Sequence, residues 1–375
     1  MAYFLTQGAM LFRGDNMSAI AILLSFIITT ASIFIIKPVA IHAKLLDSPN
    51  GRKQHVGDIP LIGGMAIFTG IAGASLLIFS SEAGITSWLL CSLGIVLLGV
   101  ADDAEDLSVY LRMAMQSLLT IALCLGTDVY LDNLGNLVGL GNVHLDMAGY
   151  VLTILLFLAV INAFNMLDGI DGLLGIVAFI TFGSLALLFG FAGLNQYVII
   201  SLICMAALIP YLLNNLLLPP FKQKIFMGDA GSTFVGFTVI WLLLEGTQPG
   251  DTSAFRPITA VWIIALPLMD MVRVIFYRIS AKRSPFKAGR DHLHHVLLTA
   301  GFGKIQTLLL MIGLELLLCS IGLLSEYKHT SEAWMFFSFL GSFFIYQLLV
   351  NQLARSGFKF FIQTEQRNPA APESN

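Results

Sequence analysis

The sequence predicts an all-α integral membrane protein, a polytopic bundle of about eleven transmembrane helices. Three observations carry that prediction. Only 11 % of the 375 residues are charged and 57 % are hydrophobic, where a soluble domain would be roughly 25 % charged. The mean hydropathy is +0.84. Eleven apolar stretches approach the ~20 residues needed to cross a bilayer, and the charges between them segregate by side. A net charge of -3 supplies no field for nucleic acid, so no such partner is expected. Cys91, Cys124, Cys204 and Cys319 sit singly in apolar runs and read as small buried hydrophobes.

In chain order, residues 1–17 form a leader without a small-residue cleavage site, so the first span is expected to be retained. The spans run over 18–36, 63–80, 85–101, 112–129, 147–164, 172–192, 196–214, 231–246, 255–277, 305–324 and 332–354, forming one transmembrane domain, 18–354. Residues 355–375 are expected to be a cytoplasmic tail, disordered in its polar, Pro-containing end from Gln363. With eleven spans, 17 Lys and Arg fall on one side and three, Arg13, Arg256 and Lys328, on the other. The positive-inside rule makes the first side cytoplasmic, with the C-terminus inside.

The same parity brings four polar clusters to the cytoplasmic face. Asp102 and Asp103 close the third span. Adjacent carboxylates repel, which a divalent cation or a cationic partner relieves, although acids also decorate helix ends without any chemistry. The fifth span ends in Asn162-Ala-Phe-Asn165-Met-Leu-Asp168-Gly-Ile-Asp171-Gly. Its two glycines let the helix break where backbone can approach a ligand, and a simple turn between spans is the ordinary alternative. After the seventh span, Lys222, Lys224, Phe226, Asp229 and Ser232 combine cations, an aromatic, a Gly-flanked acid and a helix start. That set suits a nucleotide diphosphate with Mg²⁺, yet turns favour the same residues.

The connection after the ninth span carries Arg290, His292, His294 and His295. Zinc is the rival to diphosphate binding, but no cysteine or spaced histidine in that loop completes four ligands. The first connection holds Arg52 and Lys53, either an ordinary positive-inside loop or a dock for a phosphate headgroup. Asp270 and Arg273 are spaced as a structural i,i+3 pair, and Glu315 is expected only to face the bundle interior. A transporter would place its acids near the midplane of repeated halves. Here they lie at span ends without a repeat, and a non-catalytic scaffold needs no converging acids and histidines.

Taken together, Asp102-Asp103, Asn162-x-x-Asn165-x-x-Asp168-Gly-Ile-Asp171-Gly, Phe226-Met-Gly-Asp229-x-Gly-Ser and His292-x-His294-His295 resemble the polyprenyl-phosphate N-acetylhexosamine-1-phosphate transferase family over Lys37 to His295. The His-x-His-His form differs from the consecutive histidines of the branch that takes UDP-MurNAc-pentapeptide. The resemblance implies cytoplasmic catalytic loops in a bacterial inner membrane. It also implies transfer of GlcNAc-1-phosphate from UDP-GlcNAc to undecaprenyl phosphate with release of UMP, the first membrane step of O-antigen or enterobacterial common antigen synthesis. By the same resemblance Asp229 holds Mg²⁺ or Mn²⁺. Asp102 and Asp103 assist the lipid phosphate as base or second ligand. Phe226 stacks on uracil, and Asn162, Asn165, Asp168 and Asp171 line the nucleotide pocket. Arg290, His292, His294 and His295 contact sugar and diphosphate, the last two catalytically. Another UDP-N-acetylhexosamine stays open as donor, as does a homodimer.

Overall fold

The computed structural model describes residues 16–48, 57–220, 223–248, 253–284 and 289–367, with side chains as far as 355. Arg52, Lys53 and Lys222 lie outside the described residues. All eleven apolar stretches are helical: α1 (Asn16–His42), α2 (Gly63–Phe79), α3 (Ala83–Glu105), α4 (Val109–Thr127), α5 (Met147–Asn165), α6 (Leu173–Phe191), α7 (Asn195–Asn215), α8 (Gly228–Thr247), the pair α9 (Pro257–Ile263) and α10 (Ala265–Ser280), α12 (Lys304–Tyr327) and α13 (Glu332–Arg367). A short α11 (Leu293–Thr299) lies between α10 and α12. Nine of these helices are long and apolar enough to cross a membrane, and α2, at 17 residues, is shorter. The chain is an all-α multi-pass membrane protein. A two-stranded ribbon, β1 (Leu46–Asp47) with β2 (Ile59–Pro60), is antiparallel.

Helix α8 is the axis of the bundle. It packs against α2, α3, α5 and α6 and buries nearly every side chain, whereas α4 and α13 turn most of their apolar surface outward. Lipid is as apolar as leucine, so close backbone approach through small residues becomes the main attraction between such helices. A Cβ on Gly64 would lie 2.2 Å from the Gly231 nitrogen, and one on Gly99 2.3 Å from the Ala230 Cα. These two contacts dock α2 and α3 against the first turns of α8. They hold the Asp102-Asp103 end of α3 beside Asp229.

Two elements differ from the expected ones, and one buried acid gains a role. The ninth span is not one helix: α9 and α10 meet at an 80° bend around Ile264. Pro267 lacks the amide that would bond the Ile263 carbonyl, and its ring crowds that oxygen. The freed carbonyl accepts from Cys319 Sγ at 3.4 Å instead. Glu315, given no role from the sequence, supports the break. Fully buried, it accepts from the Leu266 backbone of the restarted helix and from Thr181 Oγ1 at 3.4 Å. Lastly, α13 continues to Arg367 rather than stopping at 354, with no proline to interrupt it before Pro369. The expected tail is therefore helical over most of its length.

Candidate active site

The polar clusters converge at one end of the bundle. Helix α3 ends at Asp106, in left-handed backbone with φ 51°, which turns the chain back into α4. That reversal brings Arg112, on the first turn of α4, onto Asp102: its Nη1 bonds Asp102 Oδ2 and lies 3.6 Å from Asp229 Oδ2. The other Asp102 oxygen accepts from the Leu107 amide at 2.9 Å. One guanidinium thus spans two acids 127 residues apart in the chain.

Asp103 points at α8 instead. Its two oxygens accept from the Asp229 amide at 2.9 Å and the Ala230 amide at 3.3 Å. A helix start leaves such amides unpaired and favours negative charge there. Gly228 makes the approach feasible, because its φ is +72° and a Cβ would sit 2.5 Å from Asp103 Oδ2. Asp229 is then fixed from its other side. Asn165, the last residue of α5, donates through Nδ2 to Asp229 Oδ1 at 2.8 Å and to Ser232 Oγ at 2.9 Å. Asn162, one turn earlier, donates within its own helix to the Leu158 carbonyl at 2.6 Å.

The Gly-rich loop between α5 and α6 is tied to the loop before α8. Asp171 Oδ2 accepts from Lys224 Nζ at 2.6 Å, and that ammonium lies 5.2 Å from the centroid of the Phe226 ring. Asn215 at the end of α7 joins the two loops, accepting from the Gly172 amide at 2.7 Å and donating to the Ile225 carbonyl at 2.9 Å. Backbone bonds from Gly63 to the Phe226 carbonyl and from Gly64 to the Met227 carbonyl add the start of α2. Asp168 keeps access to solvent although protein surrounds it. That desolvation, followed by the charges of Asp229, Asp103 and Asp171, pushes its carboxyl up to about 7.

The three histidines occupy three environments. His292 turns inward, buried at the cap of α11, with Nδ1 2.9 Å from Asp270 Oδ2. His294 is also buried, yet neither ring nitrogen has a hydrogen-bond partner among the described residues. A Cβ on Gly169 would come 2.1 Å from His294 Nε2, so the ring rests against the backbone of the Asp168-Gly-Ile-Asp171 loop. Burial, then the neighbouring His295, lowers His294 to about 3 and keeps it neutral. His295 is half-buried, its ring centroid 4.1 Å from that of His294, and it is lowered by burial and by the charges of His292 and Arg290. Arg290 is exposed at the start of the segment.

A family model described as glycosyl transferase family 4 matches residues 85–247, the stretch from α3 to α8 that supplies Asp102, Asn165, Asp171 and Asp229. Over a wider span the chain is 41% identical across 322 residues, 86% of its length and 88% of the relative's, to the undecaprenyl-phosphate alpha-N-acetylglucosaminyl 1-phosphate transferase of Escherichia coli K12. Proteins of the same name from Salmonella typhi, 40% identical over 322 residues, and Yersinia pestis, 38% identical over 331 residues, match 86% and 88% of this chain and 88% and 90% of their own lengths. The chain belongs to the polyprenyl-phosphate N-acetylhexosamine-1-phosphate transferase family.

Two residues of this transferase escaped the sequence reading. Arg112 appears in the sequence only as one cation near the start of a span, and Asn215 as one amide at the end of another. The signals were, for Asn215, an Asn-Asn pair between two Leu runs and, for Arg112, its isolation among apolar residues ten positions after Asp102. Arg52 and Lys53 stay unplaced beside the site, being outside the described residues.

Proposed function

We propose that this transferase moves GlcNAc-1-phosphate from UDP-GlcNAc to undecaprenyl phosphate. An oxygen of the lipid phosphate would attack the sugar-bearing phosphorus, the bond from that phosphorus to the oxygen shared with UMP would break, and UMP would leave. The observation that carries the reading is Asp229, held at once by Asn165, by Arg112 and, through its amide, by Asp103. Phosphoryl transfer asks a protein chiefly for positioning and charge stabilisation. A rigid node of this kind supplies both.

A divalent metal fits the node. Asp102 and Asp229 already present carboxylate oxygens to one cation, Arg112. Mg²⁺ or Mn²⁺ needs only a few such ligands besides phosphate and water, and when bound would neutralise charge on the diphosphate. Asp229 and Asp102 are the residues we assign to it. Asp103 acts at the first turn of α8, orienting Asp229. Arg112, paired with both acids, would turn part of its guanidinium to an incoming phosphate. Phe226 offers its ring to uracil, with Lys224, Asp171, Asp168 and Asn165 along the nucleotide and Asn162 one turn below. His294 and His295 face the sugar diphosphate with Arg290, and Arg52 and Lys53 receive the acceptor headgroup. The product would enter O-antigen or enterobacterial common antigen synthesis. Purified protein given undecaprenyl phosphate, Mg²⁺ and a panel of UDP-sugars should release UMP fastest with UDP-GlcNAc. Faster release with another UDP-N-acetylhexosamine would reassign the donor, and no release with any would refute the activity.

We further propose that the site faces the cytoplasm of a bacterial inner membrane, on the strength of the 17 to 3 division of cations. Cysteines introduced at Gln223, in the loop before α8, and at exposed Leu140, in the α4–α5 connection at the other end, give the test. A membrane-impermeant thiol reagent applied to intact cells should label Leu140→Cys and spare Gln223→Cys until the inner face is opened. Labelling of both from outside would refute the orientation.

A further inference from the structure

Asp270 belongs to none of the sequence motifs, and the sequence pairs it with Arg273 as a structural couple. The structure keeps that pair and adds closer partners. It is 1% exposed, on α10, and its carboxylate accepts from His292 Nδ1 at 2.9 Å, the Leu293 amide at 2.9 Å and the Tyr346 hydroxyl of α13 at 3.0 Å. Arg273 Nε is more distant at 3.8 Å, and the Arg273 guanidinium bonds the Asp291 carbonyl. Three of the strongest contacts to this carboxylate therefore come from outside its own helix, two of them from the first residues of the histidine segment.

The connection runs on toward the site. A carboxylate only accepts, so His292 donates through Nδ1, which fixes its tautomer and ring plane. The His292 and His294 rings lie nearly parallel, 8° apart with centroids at 6.0 Å. His294 in turn abuts Gly169, with both ring nitrogens unpartnered among the described residues.

We propose that Asp270 is the positioning residue of the histidine segment: by holding the His292 ring and the Leu293 amide, and being braced by Tyr346, it sets where His294 and His295 meet the sugar diphosphate. Removing the carboxylate that orients a metal-bound histidine typically costs about 10- to 100-fold, and a loss of that order is expected here because small misplacements of a reacting group are expensive. Asn at 270 matches the shape but keeps one acceptor oxygen, so it must turn an NH2 donor toward either His292 or the Leu293 amide and the Tyr346 hydroxyl. The inference rests on the reading that His294 acts on the donor, and a mutant cycle separates the two.

The test uses the purified full chain with UDP-GlcNAc, undecaprenyl phosphate and Mg²⁺, comparing Asp270→Asn, His294→Ala and the double variant. Asp270→Asn should lower kcat about 10- to 100-fold, with KM for UDP-GlcNAc changed far less. The double variant should match His294→Ala within about twofold, since a residue acting through His294 has nothing left to position. Losses that multiply across the two sites, or wild-type turnover in Asp270→Asn, would overturn the proposal while leaving the histidine reading intact. Wild-type turnover in His294→Ala would remove that reading and this proposal together. If Asp270→Asn does not give folded protein, Tyr346→Phe removes one bond to the same carboxylate and takes its place in the cycle. A loss in Tyr346→Phe that does not multiply with that of His294→Ala supports the proposal, and a multiplying loss or none overturns it.

Discussion

Asp229→Asn is expected to reduce UMP release by about 100- to 1000-fold, the size of effect seen when one preorganised electrostatic contact to a transition state is deleted. The substitution keeps the shape of the side chain. Oδ1 can still accept from Asn165, the amide still donates to Asp103, and Arg112 keeps Asp102. Folding and thermal stability should therefore stay close to wild type. What changes is the charge opposite Arg112 and the hard anionic oxygen that a divalent cation requires. The deficit should persist across the whole range of Mg²⁺ concentration, because extra metal cannot restore a missing carboxylate. Turnover near wild type at ordinary Mg²⁺ would move the metal to Asp102 and Asp103 and refute the assignment.

The sequence carried the frame of this site but not its wiring. Ten of the eleven apolar segments each form one helix, and the ninth forms two, because an apolar run decides the local structure in a bilayer. Parity alone puts Asp102, Asp168, Asp229 and His294 at the same end. Arg112 was invisible as a site residue because its meaning depends on the αL reversal at Asp106, which folds α4 back onto α3. Asn215 was missed for the same reason, since its amide matters only where two distant loops meet. The bend at Ile264 did have a local signal in Pro267, but averaging hydropathy over a span hides one residue. The histidines show the limit most clearly. In the sequence they are three equivalent rings in four residues, and only the start of α11 separates inward His292 from His294 against Gly169.

His294→Ala is expected to be the second severe variant, and its stability should move in the opposite sense from that of an ordinary core deletion. Neither ring nitrogen has a partner among the described residues, so removing the ring breaks no hydrogen bond with any of them and relieves a buried polar group of its desolvation cost. Turnover, by contrast, should fall by more than the factor corresponding to roughly 1–3 kcal/mol for a single charged contact, if the ring meets charge that develops only in the transition state. A pH series adds a second readout. The folded chain holds His294 near 3, whereas an unfolded histidine titrates at about 6.5. Between those values only the unfolded state takes up the proton, so the contribution of His294 to stability declines as the pH falls through 6.5 toward 3. His294→Ala should lose part of that acid sensitivity in thermal unfolding in detergent. Stoichiometric zinc in the wild-type protein, lost in the variant together with thermal stability, would show a structural metal site and overturn the catalytic reading. Unchanged turnover would overturn it equally well.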